Sequence, residues 1–201
     1  THAIGDSANV SVLSVYQEAL ATPIMAHEEN VRWRIEHAQV VPPDYFEAFS
    51  KNIIPSVQPT HATSDMYWVE DRLGQGRMKG AYAYKSLLNQ AGILALGTDF
   101  PVEYVNPMLT LSSAVYRRDT LGYPEAGFYL DEAITREQAL KGMTLWAAYA
   151  NFSEDIRGSL SPGKDADFIF LDRNPLTCPE GELSQINVLQ TFIDEIGRAH
   201  V

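Results

Sequence analysis

Two histidines and one aspartate are the residues whose types and positions most suggest chemistry. His2 opens the loop before the first predicted helix, His37 ends a strand-like run, and Asp99 follows an apolar run. Imidazole nitrogens and a carboxylate are ligands that suit zinc or a similar divalent ion. Such an ion with an open coordination position lowers the pKa of a bound water to about 7. Asp99 could then accept the water's proton and pass it to a leaving amine.

Each of these residues also has a structural explanation. A histidine at a strand end is more often a hydrogen-bonded residue of the fold than a metal ligand. An aspartate after a strand is commonly a turn residue or a helix cap. Position and spacing alone therefore leave the metal site and the structural roles open as alternatives.

Strand-like and helix-like stretches alternate along the chain, which predicts a parallel sheet with crossover helices. The predicted strands are 31–39, 53–61 and 93–98, and the predicted helices are 6–21, 81–90, 107–117 and 135–151. A glycine-containing loop (Gly74, Gly76, Gly80) precedes the second helix, and Thr135 with Gln138 forms a capping-box pattern. In α/β barrels the carboxyl ends of the strands face the active site, so residues there converge although they are distant in sequence.

The pattern changes after Gly158, where two strand-like runs, 167–172 and 188–193, follow each other without a predicted helix between them. We therefore divide the chain into a partial (β/α) barrel, residues 1–157, and a C-terminal β segment, residues 158–201.

Composition excludes several classes of function. The 201 residues contain 15 Lys and Arg against 26 Asp and Glu, and the resulting charge of -11 disfavours nucleic acid and anionic membranes as partners. The single Cys178 excludes an internal disulfide and a cysteine-cluster metal site. No run approaches the roughly 20 apolar residues of a membrane span. Because no signal-peptide pattern is present, we expect a cytoplasmic location.

Five segments resemble amidohydrolase family 3, the branch that contains N-substituted formamide deformylase. They are 1–6 (THAIGD), 34–39 (RIEHAQ), 56–61 (SVQPTH), 97–102 (GTDFPV) and 158–167 (GSLSPGKDAD). The likeness runs in order from residue 1 to about residue 193. The resemblance implies an α/β fold, namely the C-terminal half of a TIM-type (β/α)8 barrel followed by a small β-sandwich segment.

The resemblance also implies roles for individual residues. His2, His37 and Asp99 match metal ligands, with zinc the expected divalent metal, and Asp99 also matches the general base. His61 matches a group at the end of the seventh barrel strand, near the substrate carbonyl, although a loop-anchoring role is equally open. Arg77 is a candidate substrate contact, with a solvated surface role as its alternative.

The expected function is that of a metal-dependent hydrolase acting on non-peptide carbon–nitrogen bonds in a small amide-like or formamide substrate. The family's His-x-His pair is absent, and a complete barrel takes roughly 250 residues. We therefore expect the chain to need the missing N-terminal half or a complementary chain, and to be inactive alone. Tyr123, Phe128 and Tyr129, on a long loop, could shape an apolar pocket, and an ordinary surface loop is equally allowed.

Two alternatives stay open. The chain could be a non-catalytic small-molecule-binding or assembly module on a barrel scaffold. It could also catalyse a different reaction on the same metal scaffold, such as deamination or the ring opening of a cyclic amide, because one fold supports several chemistries.

Overall fold

The computed structural model describes residues 1–28, 30–193 and 196–199. Its first sheet has four parallel strands in the order β1-β2-β3-β4. They are β1 (His2–Ala3), β2 (Trp33–His37), β3 (Ile53–Val57) and β4 (Ala95–Leu96). Because neighbouring parallel strands need crossover connections, helical segments separate all four in sequence.

Seven α-helices accompany these strands in the described part of the chain. They are α1 (Asp6–Leu20), α2 (Pro59–Asp65), α3 (Val69–Met78), α4 (Tyr84–Ala91), α5 (Pro107–Tyr116), α6 (Arg136–Met143) and α7 (Leu145–Ala150). Short 3-10 helices span Met25–His27, Pro43–Ala48, Leu130–Glu132 and Glu180–Gln185. None of the described helices is both long and apolar enough to cross a bilayer.

Helices α1, α4, α6 and α7 pack against strands of the sheet. In α4 the buried residues Tyr84, Leu87, Leu88 and Ala91 recur at the spacing of one helix face. The helix ends at Gly92, whose φ of 74° is the left-handed conformation that favours glycine. This confirms the stop predicted at Gly92, and the buried face of α4 contacts β3.

Three predicted boundaries were wrong. The predicted strand 53–61 corresponds to β3, which ends at Val57 instead of continuing to His61. It ends there because Pro59 begins α2, and the fixed φ of proline suits a first helical turn. The predicted glycine loop is largely helix α3, with Gly74 at a kink. The helix that begins at the confirmed Thr135–Gln138 capping box is divided at Thr144 into α6 and α7, where ψ is -87°.

The C-terminal strands form a separate antiparallel sheet. It consists of β5 (Phe168–Leu171), β6 (Val188–Ile193) and β7 (Ile196–Ala199). The segment between β5 and β6 returns to the main core, where Leu183 and Ile186 are buried with residues of α5. The proposed division at residue 158 and the sandwich stay predictions, and residues 194, 195, 200 and 201 of that segment lie outside the described ones.

Candidate active site

His2 and His37 lie at the carboxyl edge of the parallel sheet. His2 is in β1, and His37 is the last residue of β2, where it pairs in register with Ala3. The two imidazole rings meet edge to face with their centroids 4.5 Å apart. Adjacent parallel strands therefore bring together two histidines that are 35 positions apart, as the sequence predicted.

Asp99 follows β4 at the same edge of the sheet. Its φ is 57° and that of His37 is 78°, so both residues adopt the left-handed backbone that few residues other than glycine favour. Such conformations cost about 1 to 3 kcal/mol each and persist only where the surrounding structure enforces them. The packed ends of β2 and β4 hold both side chains in place at this cost.

His61 connects Asp99 to a second carboxylate. It lies in the first turn of α2 and is only 8% exposed. Its Nε2 is 3.2 Å from Asp99 Oδ2, and its Nδ1 is 3.0 Å from Glu103 Oε1. Ser64 Oγ donates to the same Glu103 oxygen at 2.6 Å. The imidazole is thus held between two carboxylates, one on each ring nitrogen.

His37 is oriented by a side-chain amide. Its Nδ1 lies 2.8 Å from Oε1 of Gln58, a residue that is 7% exposed. An amide oxygen only accepts hydrogen bonds, so Nδ1 of His37 donates and its Nε2 keeps a free lone pair. The hydroxyl of Tyr84 donates to the Gln58 carbonyl at 3.1 Å and fixes the backbone beneath the amide.

The arrangement fits a metal ion. His37, His61 and Asp99 each offer one ligand atom, and these atoms lie within 4.8 Å of one another. Two ligand atoms of one zinc ion lie at most about 4 Å apart, which is twice the bond length. Small side-chain movements would therefore bring the ligand atoms of His37, His61 and Asp99 within reach of one ion. When Glu103 accepts a hydrogen bond from Nδ1 of His61, Nε2 carries no hydrogen and its lone pair faces the Asp99 carboxylate. A cation placed between His61 Nε2 and the Asp99 oxygen would relieve the repulsion between these two electron-rich atoms.

A partly buried polar network lies next to His61. Asp65 Oδ2 accepts hydrogen bonds from the Tyr82 hydroxyl at 2.7 Å and from Gln39 Nε2 at 3.0 Å. Burial nevertheless raises the pKa of Asp65, and burial beside this carboxylate also raises the pKa of Tyr82. The network ties α2 to the segments that follow β2 and α3, and so holds the helix that carries His61.

The other predicted site residues have different surroundings. The Arg77 guanidinium lies 3.6 Å from Asp6 Oδ2 and donates to backbone carbonyls of α3, so its recorded contacts are structural. Phe128 is 7% exposed and packs against Tyr82, which corrects the expectation that it faces a pocket. Tyr123 stays exposed and stacks on Tyr67.

Reasoning from the sequence missed Gln58, Glu103 and Ser64. Gln58 carried a usable signal, because it is the first residue after β3 and side chains at that position face the carboxyl edge. Glu103 carried none, since it lies in an irregular segment after β4 that has no periodicity.

Comparisons with known proteins agree with this geometry. The amidohydrolase family pattern matches residues 1–195. The chain is 39% identical over 175 residues to Protein LONG AFTER FAR-RED 3 of Arabidopsis thaliana, covering 86% of this chain and 29% of that protein. It is 32% identical over 117 residues to N-substituted formamide deformylase of Arthrobacter pascens, covering 58% and 21% respectively.

A solved structure is similar in both sequence and fold. An uncharacterised metal-dependent hydrolase from Pyrococcus horikoshii OT3 superposes with a TM-score of 0.73 and 34% identity, covering 90% of this chain and 35% of that one. The chain thus spans about a third of the length of the relatives it matches. Because the amidohydrolase family pattern matches residues 1–195, this chain belongs to the amidohydrolase family.

Proposed function

We propose that this chain carries half of the active site of a metal-dependent hydrolase that cleaves the carbon–nitrogen bond of a small amide or formamide. The observation that carries the proposal is the meeting of His37, His61 and Asp99 at one edge of a parallel sheet, with His2 in ring contact with His37. Family membership and the similarity to a metal-dependent hydrolase support it.

His2, His37 and Asp99 would hold the divalent metal, for which zinc is the proposed ion. The ligand atoms of His37, His61 and Asp99 lie within 4.8 Å of one another, so His61 would join the set, and His2 would reach the ion from its ring contact with His37. When bound, such an ion polarises a carbonyl oxygen and makes a water molecule more acidic. Asp99 accepts a proton from the attacking water and delivers it to the amide nitrogen. A carbon–oxygen bond forms, the carbon–nitrogen bond breaks, and an acid and an amine leave.

His61 and Glu103 keep the general base in position. Nε2 of His61 contacts Asp99, and Glu103 fixes the other ring nitrogen, so the imidazole cannot rotate without losing two contacts. His61 would also lie near the substrate carbonyl. Arg77 stays a proposed substrate contact, and using it would require the release of its contact with Asp6. We propose that an N-terminal half or a complementary chain supplies the rest of the barrel and so completes the site.

The test is hydrolysis of simple formamides and acyl amines by the zinc-loaded, full-length product of the gene. Changing Asp99→Asn keeps the shape but removes the proton acceptor, and we expect kcat to fall by about 100-fold or more. The matched control is Asp71→Asn on α3, where the aspartate is exposed. Unchanged turnover in Asp99→Asn would remove the proposed role.

The second candidate, a non-catalytic binding or assembly module, predicts no bound metal. Mass spectrometry of the purified protein measures the metal content directly. Metal in the wild type and its loss in His37→Asn would exclude the module. The third candidate is a different reaction on the same metal scaffold. It is supported if the protein binds zinc and deaminates its substrate or opens a cyclic amide, but does not cleave open-chain amides.

A further inference from the structure

Arg117 is a buried cation that the proposed reaction does not use. It directly follows α5, its side chain is fully buried, and burial lowers its pKa. Its side-chain hydrogen bonds go to two backbone carbonyls, and Nη2 has no hydrogen-bond partner among the described residues. A buried charge that is incompletely paired costs stability. In some proteins such groups are retained because they fix one conformation, so the contacts of Arg117 show what it holds in place.

The guanidinium of Arg117 joins the loop after α5 to the start of α4. Its Nε donates to the Phe128 carbonyl oxygen at 2.5 Å, and its Nη1 donates to the Tyr82 carbonyl oxygen at 3.1 Å. Its Cζ lies 5.1 Å from the centroid of the Tyr84 ring, a distance at which a cation is attracted to the face of an aromatic ring. Arg117 thus contacts two tyrosines, one through its backbone and the other through its ring.

Tyr84 contacts the residue that supports both His37 and His61. Its buried hydroxyl donates to the Gln58 carbonyl oxygen at 3.1 Å, and the same oxygen accepts from the backbone N–H of His61 at 3.0 Å. The side-chain oxygen of Gln58 lies 2.8 Å from Nδ1 of His37. Gln58 is therefore the junction between the two histidines, and Tyr84 holds its backbone.

Tyr82 makes a second connection to the same two segments. Its φ of 51° is a backbone conformation that residues other than glycine rarely adopt. Its backbone N–H donates to the Gln39 carbonyl oxygen at 2.7 Å, and its hydroxyl donates to Asp65 Oδ2 at 2.7 Å. Gln39 is two residues after His37, and Asp65 is four residues after His61. The guanidinium therefore stabilises a strained residue that ties together the segments after both histidines.

We propose that Arg117 is a positioning residue for the metal-binding histidines. A path of contacts leads from its guanidinium to the face of Tyr84, from the Tyr84 hydroxyl to the Gln58 carbonyl, and from the Gln58 side chain to Nδ1 of His37. When the first contact is lost, Tyr84 and Gln58 can shift, and Nδ1 of His37 no longer has a fixed acceptor. The inference rests on the proposed metal site, since it assigns a support to the ligands of that site.

The first test measures the zinc affinity of the full-length protein by competition with a chromophoric chelator. Arg117→Lys keeps the cation, but one ammonium nitrogen cannot reproduce the planar fork that bonds two carbonyls and stacks on a ring. We expect zinc affinity to fall by about 3- to 30-fold, the range for residues that act on a site through their neighbours. Arg136→Lys is the matched control and should bind zinc as the wild type does. Arg136 also donates to a carbonyl and lies over a tyrosine ring, but its partners are Tyr116 and the segment 175–178.

A second measurement, on the metal-free full-length protein, separates positioning from folding. Long-range proton–nitrogen NMR of histidine-labelled protein, at a pH where the ring is neutral, reports which nitrogen of His37 carries the hydrogen. The signal is assigned by its loss in His37→Asn. We expect a single tautomer with the hydrogen on Nδ1 in the wild type and in Arg136→Lys, and a mixture of both tautomers in Arg117→Lys.

Tyr84→Phe tests the same path without changing the buried cation. It removes only the hydroxyl between the ring and the Gln58 carbonyl, so it should also give mixed His37 tautomers and weaker zinc binding. Because both changes interrupt one path, the double variant with Arg117→Lys should lose no more zinc affinity than the stronger single variant. Losses that multiply in the double variant would overturn the proposed path.

The two measurements also separate this inference from the proposed function. Mixed His37 tautomers and weaker zinc binding in both single variants, in a protein that hydrolyses no formamide or acyl amine, would overturn the hydrolase function and leave the role of Arg117 standing. A protein that hydrolyses these substrates, but whose Arg117→Lys and Tyr84→Phe variants keep the wild-type tautomer and zinc affinity, would overturn the role of Arg117 alone.

Discussion

At the scale of single residues, the site depends on side chains that orient the proposed ligands. His37 and His61 each use Nδ1 for a hydrogen bond, one to Gln58 and the other to Glu103. In both rings this leaves Nε2 as the nitrogen available to a ligand, and Nε2 of His61 faces Asp99. Partners of this kind fix the tautomer and ring orientation of metal-binding histidines.

Replacing Gln58→Leu should weaken zinc binding by about 10- to 100-fold, because the Nδ1–H of His37 loses its acceptor. Gln58→Glu keeps an acceptor oxygen and should retain most of the affinity. Competition with a chromophoric chelator measures both. Gln90→Leu, at an exposed position in α4, is the control. Equal zinc affinity in Gln58→Leu and the wild type would show that Gln58 does not orient the ligand.

At the scale of elements, close packing between α6 and β4 supports the strand that precedes Asp99. A Cβ atom on Gly142 would lie 2.6 Å from Leu96 Cγ and 2.9 Å from the Leu94 carbonyl oxygen. Gly142→Ala should therefore reduce the free energy of unfolding by about 1 to 3 kcal/mol, as overpacking does. Urea unfolding measures the change.

Gly76 provides the matched control on α3. A Cβ atom there would meet nothing within 4 Å, so Gly76→Ala should be neutral or stabilise the helix by about 0.5 to 1 kcal/mol. If both glycine variants unfold at the same urea concentration, contact between α6 and β4 does not limit stability.

An ion pair connects the start of β2 to the segment after α7. Arg32 is 8% exposed, pairs with both Glu154 oxygens at 2.5 and 2.8 Å, and lies over the Tyr149 ring. Glu154→Gln leaves this buried guanidinium without its carboxylate, and we expect a loss of about 1 to 2 kcal/mol in stability. Glu137→Gln, which breaks an exposed pair with Lys141, should change the unfolding midpoint little.

The same pair predicts a pH dependence. The hydrogen bond from Arg32 lowers the pKa of Glu154 below the ordinary value of 4.5. The contribution of the pair is therefore fully present above pH 4.5 and is lost as the pH falls through the lower pKa of the folded state. Thermal melts should show the wild type losing its advantage over Glu154→Gln in that acidic range. A stability difference that stays constant with pH would contradict this prediction.

At the scale of the whole molecule, the parallel sheet has open edges. Among the described residues, β1 and β4 each pair with a single neighbour. Phe100, Val102 and Val105, just after β4, are between 63 and 73% exposed. Unpaired strand edges and exposed apolar groups favour association with another chain.

We therefore expect the isolated 201-residue chain to self-associate and to melt over a broad temperature range, despite its charge of -11. Size-exclusion chromatography with light scattering measures the assembly, and calorimetry measures the melt. Adding a chain that supplies the remaining strands should restore a single sharp transition. A monodisperse, cooperatively melting monomer would contradict the need for a complementary chain.

The sequence by itself determined the parts of this protein that depend on local pattern. Strand-like runs located β2, β3 and β4 but not β1, because His2 was assigned to the loop before the first helix. The capping box located the start of α6, and the residues that end β2 and follow β4 pointed to one sheet edge. Those inferences succeed because the periodicity and termination of elements are set by neighbouring residues.

Only the tertiary structure decided which side chains meet. His61 lies between Asp99 and Glu103, partners 38 and 42 positions away, because α2 begins one residue after Gln58 and turns inward. Phe128 is buried rather than available to a ligand, because its ring packs against Tyr82 while Arg117 donates to its carbonyl oxygen. Such contacts depend on the path of irregular segments, which no local pattern of residues specifies.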